Sequence, residues 1–226
     1  MENKPSSYKE KRKPKGDIKF NLVLNDEQKQ AKSVVLANVV TVLRGMAGSG
    51  KSALAAQAAL DLLFKRDVDR IILTRPAVTA GEDIGFLPGD KDAKLAPYTA
   101  AIYDNMYRLY KKEIIDKHIQ DGHIEVIPLA FMRGRNLSDC VVVVDEAQNI
   151  TDRQMELLLG RLCNGSKMIL CGDAAQIDLK DKKLSGFDFI CKNFKDVPGF
   201  AIVTLQSNHR HPIVEPILEV YKQYRS

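Results

Sequence analysis

The sequence predicts an α/β protein built on a mainly parallel sheet with helices on both faces. Apolar runs of strand length alternate along the chain with longer segments of helical periodicity, the order expected when strands lie side by side under helical cover. The run Cys140–Val144 is five consecutive apolar residues, four of them β-branched, which suits a central strand buried on both faces. A glycine-rich turn from Gly45 to Ser52 joins one apolar run directly to a helix-forming one.

Taken in order, residues 1–19 read as a basic tail, with seven Lys or Arg between Lys4 and Lys19 and with Pro5 and Pro14 opposing regular structure. Such a tail is either solvated chain or an arm that touches a phosphate backbone. One domain is expected over residues 20–226. Asn25 caps a helix running to about residue 36, with Gln28 three residues on in capping-box spacing. A strand over 39–43, a helix over 49–65, a strand over 70–73, a helix over 98–117 and a strand over 124–127 follow. Between them, residues 74–95 carry Gly81, Gly85 and Gly89 and read as a long loop, a length uncommon in a compact domain unless it is functional. Beyond Cys140–Val144, strands are expected over 168–170 and 201–205. Helices are expected over 152–162, 184–193 and 214–224, the last introduced by Pro212.

No segment approaches the roughly 18 to 20 uninterrupted apolar residues of a membrane helix, and no secretory signal opens the chain, so a soluble, cytoplasmic protein without membrane attachment is expected. Cys140, Cys163, Cys171 and Cys191 are widely spaced and form no CxxC pair; they read as reduced core thiols. A net charge of +5 permits a polyanionic partner without demanding one.

Gly45, Met46, Ala47, Gly48, Ser49, Gly50, Lys51 and Ser52 match GxxxxGK[ST], after a strand and at a helix start, where that motif works. Glycines let the backbone curl so that N–H groups point at phosphate oxygens, and the helix N-terminus adds positive charge. Lys51 is then placed to reach the β- and γ-phosphates, and the Ser52 hydroxyl to ligate Mg²⁺. Asp145 and Glu146 end the buried strand, where a sheet's carboxyl edge opens to ligands. Asp145 is suited to hold Mg²⁺, and Glu146 to polarise an attacking water, which points to hydrolysis. Gln176, after a third apolar strand, is suited to sense the γ-phosphate.

Together these residues resemble the PhoH-like family of P-loop ATPases, which is related to the superfamily one helicases. Besides GMAGSGKS, the similar stretches are TRPAVTAGEDIGFLPGD from Thr74, PLAFMRGRNL from Pro128, VVVVDEAQN from Val141, CGDAAQIDL from Cys171 and RHP from Arg210. The resemblance covers about residues 24–224 and departs from the usual pattern at Met46 and Asn136. It implies a RecA-like core, ATP and Mg²⁺ as ligands, an oligomeric ring and a role with RNA or DNA. By position, Gln28 resembles a glutamine that reads the adenine edge, although its capping role explains it equally, and Gln148 resembles, with Gln176, the glutamines that line the γ-phosphate.

P-loop hydrolysis is usually accelerated by an arginine. A chain of this length has no second RecA-like domain to donate one, so a neighbouring copy is the expected source, with Arg210 or Arg161 as candidates and a closed ring, commonly a hexamer, as the consequence. RNA or single-stranded DNA would meet Arg75, Lys91, Lys94, Arg133 and Arg135. Tyr98, Tyr103 and Tyr107 fit a core or interface better than base stacking, and His209 and His211, without a nearby carboxylate or cysteine ligand, make a poor metal site. Two functions follow: a motor that remodels nucleic acid, or a switch or scaffold in which hydrolysis resets affinity for a protein partner.

Overall fold

The computed structural model describes residues 18–76, 99 and 102–225. Residues 1–17 of the expected tail and most of the expected loop, with Lys91, Lys94 and Tyr98, lie outside the described residues. Six strands, β1 (Val40–Gly45), β2 (Arg70–Thr74), β3 (Ile124–Val126), β4 (Cys140–Val144), β5 (Lys167–Gly172) and β6 (Phe200–Leu205), form one sheet. Their order is β3-β2-β4-β5-β1-β6, and every neighbouring pair runs parallel. As its composition requires, β4 is central and buried at all five positions.

Among the described residues seven helices cover the sheet: α1 (Asp26–Ala37), α2 (Lys51–Phe64), α3 (residues 102–109), α4 (Lys112–Gln120), α5 (Asp152–Leu159), α6 (Gly186–Asn193) and α7 (Val214–Arg225). One apolar core gathers Val35, Leu60, Met106 and Ile115 from α1 to α4 on one face. The other gathers Met155, Leu158, Phe187 and Ile190 from α5 and α6 on the opposite face. Helix α2 is buried nearly all round, which explains why its sequence is apolar on every side. Its buried Asp61 is neutralised by Lys32 at 2.9 Å and Lys65 at 3.0 Å.

Asn25 caps α1 in a full capping box with Gln28, as the spacing predicts. The single helix expected over 98–117 is broken in two. Lys111 leaves helical geometry at ψ 125°, and Tyr110 packs its ring against Phe64, centroids 4.9 Å apart, and Phe20, 5.8 Å apart. The break lets Leu109 and Ile115 both enter one core, a tertiary gain that helical periodicity does not register. Cys140, Cys171 and Cys191 are buried as expected, but Cys163 is exposed, because the chain turns out of α5 before reaching it. Among the described residues no helix is long and apolar enough to cross a membrane.

Candidate active site

The chemistry-bearing motifs end three adjacent strands. Gly45 closes β1, Asp173 follows β5, and Asp145 and Glu146 follow β4, with β5 lying between β1 and β4. Because all three strands are parallel, the motifs meet at one carboxyl edge.

The glycine turn passes into α2 through two left-handed residues, Gly48 at φ +91° and Gly50 at φ +85°. A side chain at either position would also collide with its surroundings. A Cβ on Gly48 would stand 2.6 Å from Arg210 Cγ, and one on Gly50 2.5 Å from Gln28 Nε2. Lys51 Nζ donates to the carbonyls of Gly45, at 2.7 Å, and Met46, at 2.9 Å, which holds the ammonium at the mouth of the loop. Ala47 N–H donates to Asp173 Oδ2 at 3.0 Å, tying the loop to the end of β5.

Ser52 Oγ donates to Asp145 Oδ1 at 2.8 Å. Two hard oxygen donors thus touch at the head of α2, a set that fits Mg²⁺ rather than a thiophilic metal. Among the described residues the buried Thr74 hydroxyl has no hydrogen-bond partner, and Thr74 lines the same recess as Ser52 and Asp145. Burial pushes the Asp145 carboxyl above the usual range, and the like charge of Glu146 adds to this; Ser52 and Arg75 oppose it.

A raised carboxyl binds its proton more tightly in the folded chain than in the unfolded one. Its contribution to stability is therefore present below the ordinary carboxylate range and is lost as pH rises through the raised value. At neutral pH ionised Asp145 is a cost, and Asp145→Asn, which keeps an acceptor for Ser52, is expected to raise the melting temperature in metal-free buffer. Mg²⁺ is expected to stabilise the native chain and not the variant. Thermal melts in chelator and in Mg²⁺ check this; an equal or lower melting temperature for Asp145→Asn would contradict it.

Glu146 occupies the left-handed region at φ +52°, where a residue with a side chain is strained, and such strain concentrates at functional turns. Gln148 is 1% exposed and fills its amide. It donates to Glu146 Oε2 at 2.7 Å and to the Gln176 carbonyl at 3.2 Å, and accepts from Asp173 N–H at 3.1 Å. Gln148 thus joins Glu146, Gln176 and Asp173, the residues that end β4 and follow β5. Gln176 itself is exposed and shares a cavity of about 260 Å³ with Met46, Ala47, Asp173 and Arg210.

Arg210 lies against its own chain's loop at Gly48. The segment after β6 carries Arg210 back over the loop, held by a 2.9 Å bond from His209 N–H to the Gly48 carbonyl. Arg161 sits at the other end of the sheet, where its carbonyl accepts from Leu137 N–H just before β4 begins. Arg75 follows β2 and acts electrostatically on Asp145, so it belongs to the nucleotide edge. Arg135 faces Glu125 of edge strand β3 at 3.4 Å, and Arg133 lines a separate recess with Gln154 and Leu157. The candidate nucleic-acid arginines therefore have three different surroundings. Gln28 Nε2 meets His209 Nε2 at 3.2 Å beside Gly50. Asp173, Thr74 and His209 were missed as site residues; the first two lie within stretches that already carried the resemblance, while His209 gave no local signal.

A RecA-like parallel sheet with a glycine loop, its lysine, and a serine–aspartate pair at one edge defines a P-loop nucleoside triphosphatase. Residues 22–222 match the family described as PhoH-like protein. The chain belongs to that family. It is 44% identical over 198 residues to a PhoH-like protein of Synechocystis, covering 87% of this chain and 60% of that one. It is also 44% identical to a PhoH-like protein of Bacillus subtilis (78% and 56% covered) and 37% identical to Protein PhoH of Escherichia coli (80% and 52% covered). The chain thus spans little more than half the length of these relatives. The large terminase of a thermophilic bacteriophage shares the fold, with a TM-score of 0.51 at 9% identity over 88% of this chain and 50% of that one.

Proposed function

We propose that this protein hydrolyses ATP with Mg²⁺ and couples turnover to binding or unwinding of RNA or single-stranded DNA, as a homo-oligomeric ring, commonly six copies. The observation that carries the hydrolase reading is the 2.8 Å Ser52–Asp145 contact, with Glu146 next in the chain and Lys51 at the loop mouth. Glycine-loop N–H groups and Lys51 hold the phosphates, and Arg210 over Gly48 neutralises charge that develops on them. Ser52 and Asp145 would hold Mg²⁺, which when bound supplies further neutralisation of the phosphate oxygens. Glu146, oriented by Gln148, takes the proton of the attacking water. The new O–P bond forms at the γ-phosphorus as the bridging O–P bond breaks, and the proton passes on to the released phosphate.

Self-association is supported by α7, whose Ile217, Leu218, Val220, Tyr221 and Tyr224 are all exposed. Nucleic-acid coupling is supported by the net charge of +5 and by Arg75 at the nucleotide edge, where a bound strand would be felt by Asp145.

The test is phosphate release by the purified chain with Mg²⁺, alone and with single-stranded RNA or DNA, alongside light scattering for assembly. Stimulation by a strand is expected. Persistent basal turnover with no response to either strand would transfer the coupling to a protein partner, as in a switch or scaffold.

A further inference from the structure

The ring of His209 stands where the start of α1, the segment after β6 and the phosphate loop converge. Glu27 of α1 fixes that segment from one side, accepting from Gln206 N–H at 2.7 Å, from Ser207 N–H at 3.1 Å and from the Ser207 hydroxyl. Asn25 Nδ2 adds a bond to Ser207 Oγ at 3.1 Å. On the other side, His209 N–H donates to the Gly48 carbonyl. A Cβ on Gly50 would stand 2.5 Å from Gln28 Nε2 and 3.5 Å from His209 Cδ2, so both side chains lie directly on the loop.

The orientation of the Gln28 amide is set twice. Its Oε1 accepts from Asn25 N–H at 3.2 Å, which leaves Nε2 facing His209 Nε2 at 3.2 Å. An amide nitrogen only donates, so the imidazole nitrogen must accept, and the ring proton must reside on Nδ1. An imidazolium has no acceptor: Gln28 would then have to turn over and abandon the Asn25 N–H, or lose the histidine.

We propose that His209 is a positioning residue for base recognition, its neutral ring pinning the Gln28 amide in one donor–acceptor order while its backbone N–H locks that arrangement to the phosphate loop. This rests on the reading of Gln28 as the group that meets the purine. Adenine offers a donor and an acceptor along the edge where guanine offers two acceptors, so a glutamine held in one order discriminates between them better than one free to turn over.

The experiment is calorimetric affinity of the whole chain for Mg-ATP, Mg-GTP and inorganic tripolyphosphate. The preference for ATP over GTP is the readout, because the two nucleotides carry the same phosphates. His209→Ala and Gln28→Ala are each expected to lower that preference about tenfold, the scale of one well-placed hydrogen bond, with no further loss in the double variant. Tripolyphosphate binding should stay unchanged, which reports an intact loop. His209→Gln, which keeps an acceptor for the Gln28 amide, should retain the preference. If Gln28→Ala lowers the preference and His209→Ala does not, or if His209→Gln loses it as fully as His209→Ala, the positioning role is overturned and the base reading stands. If Gln28→Ala leaves the preference unchanged, the base reading fails and takes the proposal with it.

Discussion

Glu146→Gln is expected to bind Mg-ATP with near-native affinity and to lose turnover by roughly 10²- to 10⁴-fold, the range attributable to a general base. The substitution is close to isosteric. Gln148 Nε2 donates to Glu146 Oε2 at 2.7 Å, and the amide oxygen of a glutamine can accept the same bond, so the turn at φ +52° keeps its support. What disappears is the capacity to take a proton. Single-turnover phosphate release, paired with equilibrium binding of ATP, separates the two effects. Turnover within about twofold of native would remove Glu146 from the base role and leave proton transfer to another group.

Lys51→Ala is expected to cut turnover by at least about 10²- to 10³-fold, the scale of losing one preorganised electrostatic partner, and unlike Glu146→Gln to weaken ATP binding as well. The lysine head is held by the Gly45 and Met46 carbonyls at 2.7 and 2.9 Å, so its position is established before any phosphate arrives. An ammonium fixed there grips the phosphates in the ground state and grips them harder as charge develops in the transition state, which is why affinity and rate should fall together. The same binding assay on both variants decides the matter. Equal losses of affinity in Lys51→Ala and Glu146→Gln would contradict the separate roles.

What was legible in the sequence was what short stretches carry by themselves. The run of valines after Cys140 announced a strand buried on both faces, and Asn25 with Gln28 announced a capped helix. A glycine turn lodged between an apolar strand and a helix announced a phosphate loop, because each signal spans only a few residues. Less legible was how distant segments meet. Ala47 reaches Asp173 across 126 residues, and Gln28 reaches His209 across 181, contacts that no local periodicity encodes. The break after Tyr110 belongs to the same class, since its cause is the aromatic packing with Phe20 and Phe64 rather than any helix-stopping residue. Arg210 shows both sides. The RHP stretch was legible in the sequence, but the place of its arginine against Gly48 depended on how the segment after β6 folds back onto the loop.

The most direct measurement is phosphate release from ATP by the purified native chain, once with Mg²⁺ and once with excess chelator. Steady turnover that needs the metal and vanishes without it is the result expected of the Ser52–Asp145 pair with Glu146 alongside. No release above the uncatalysed rate with Mg²⁺, or release indifferent to the chelator, would contradict that assignment.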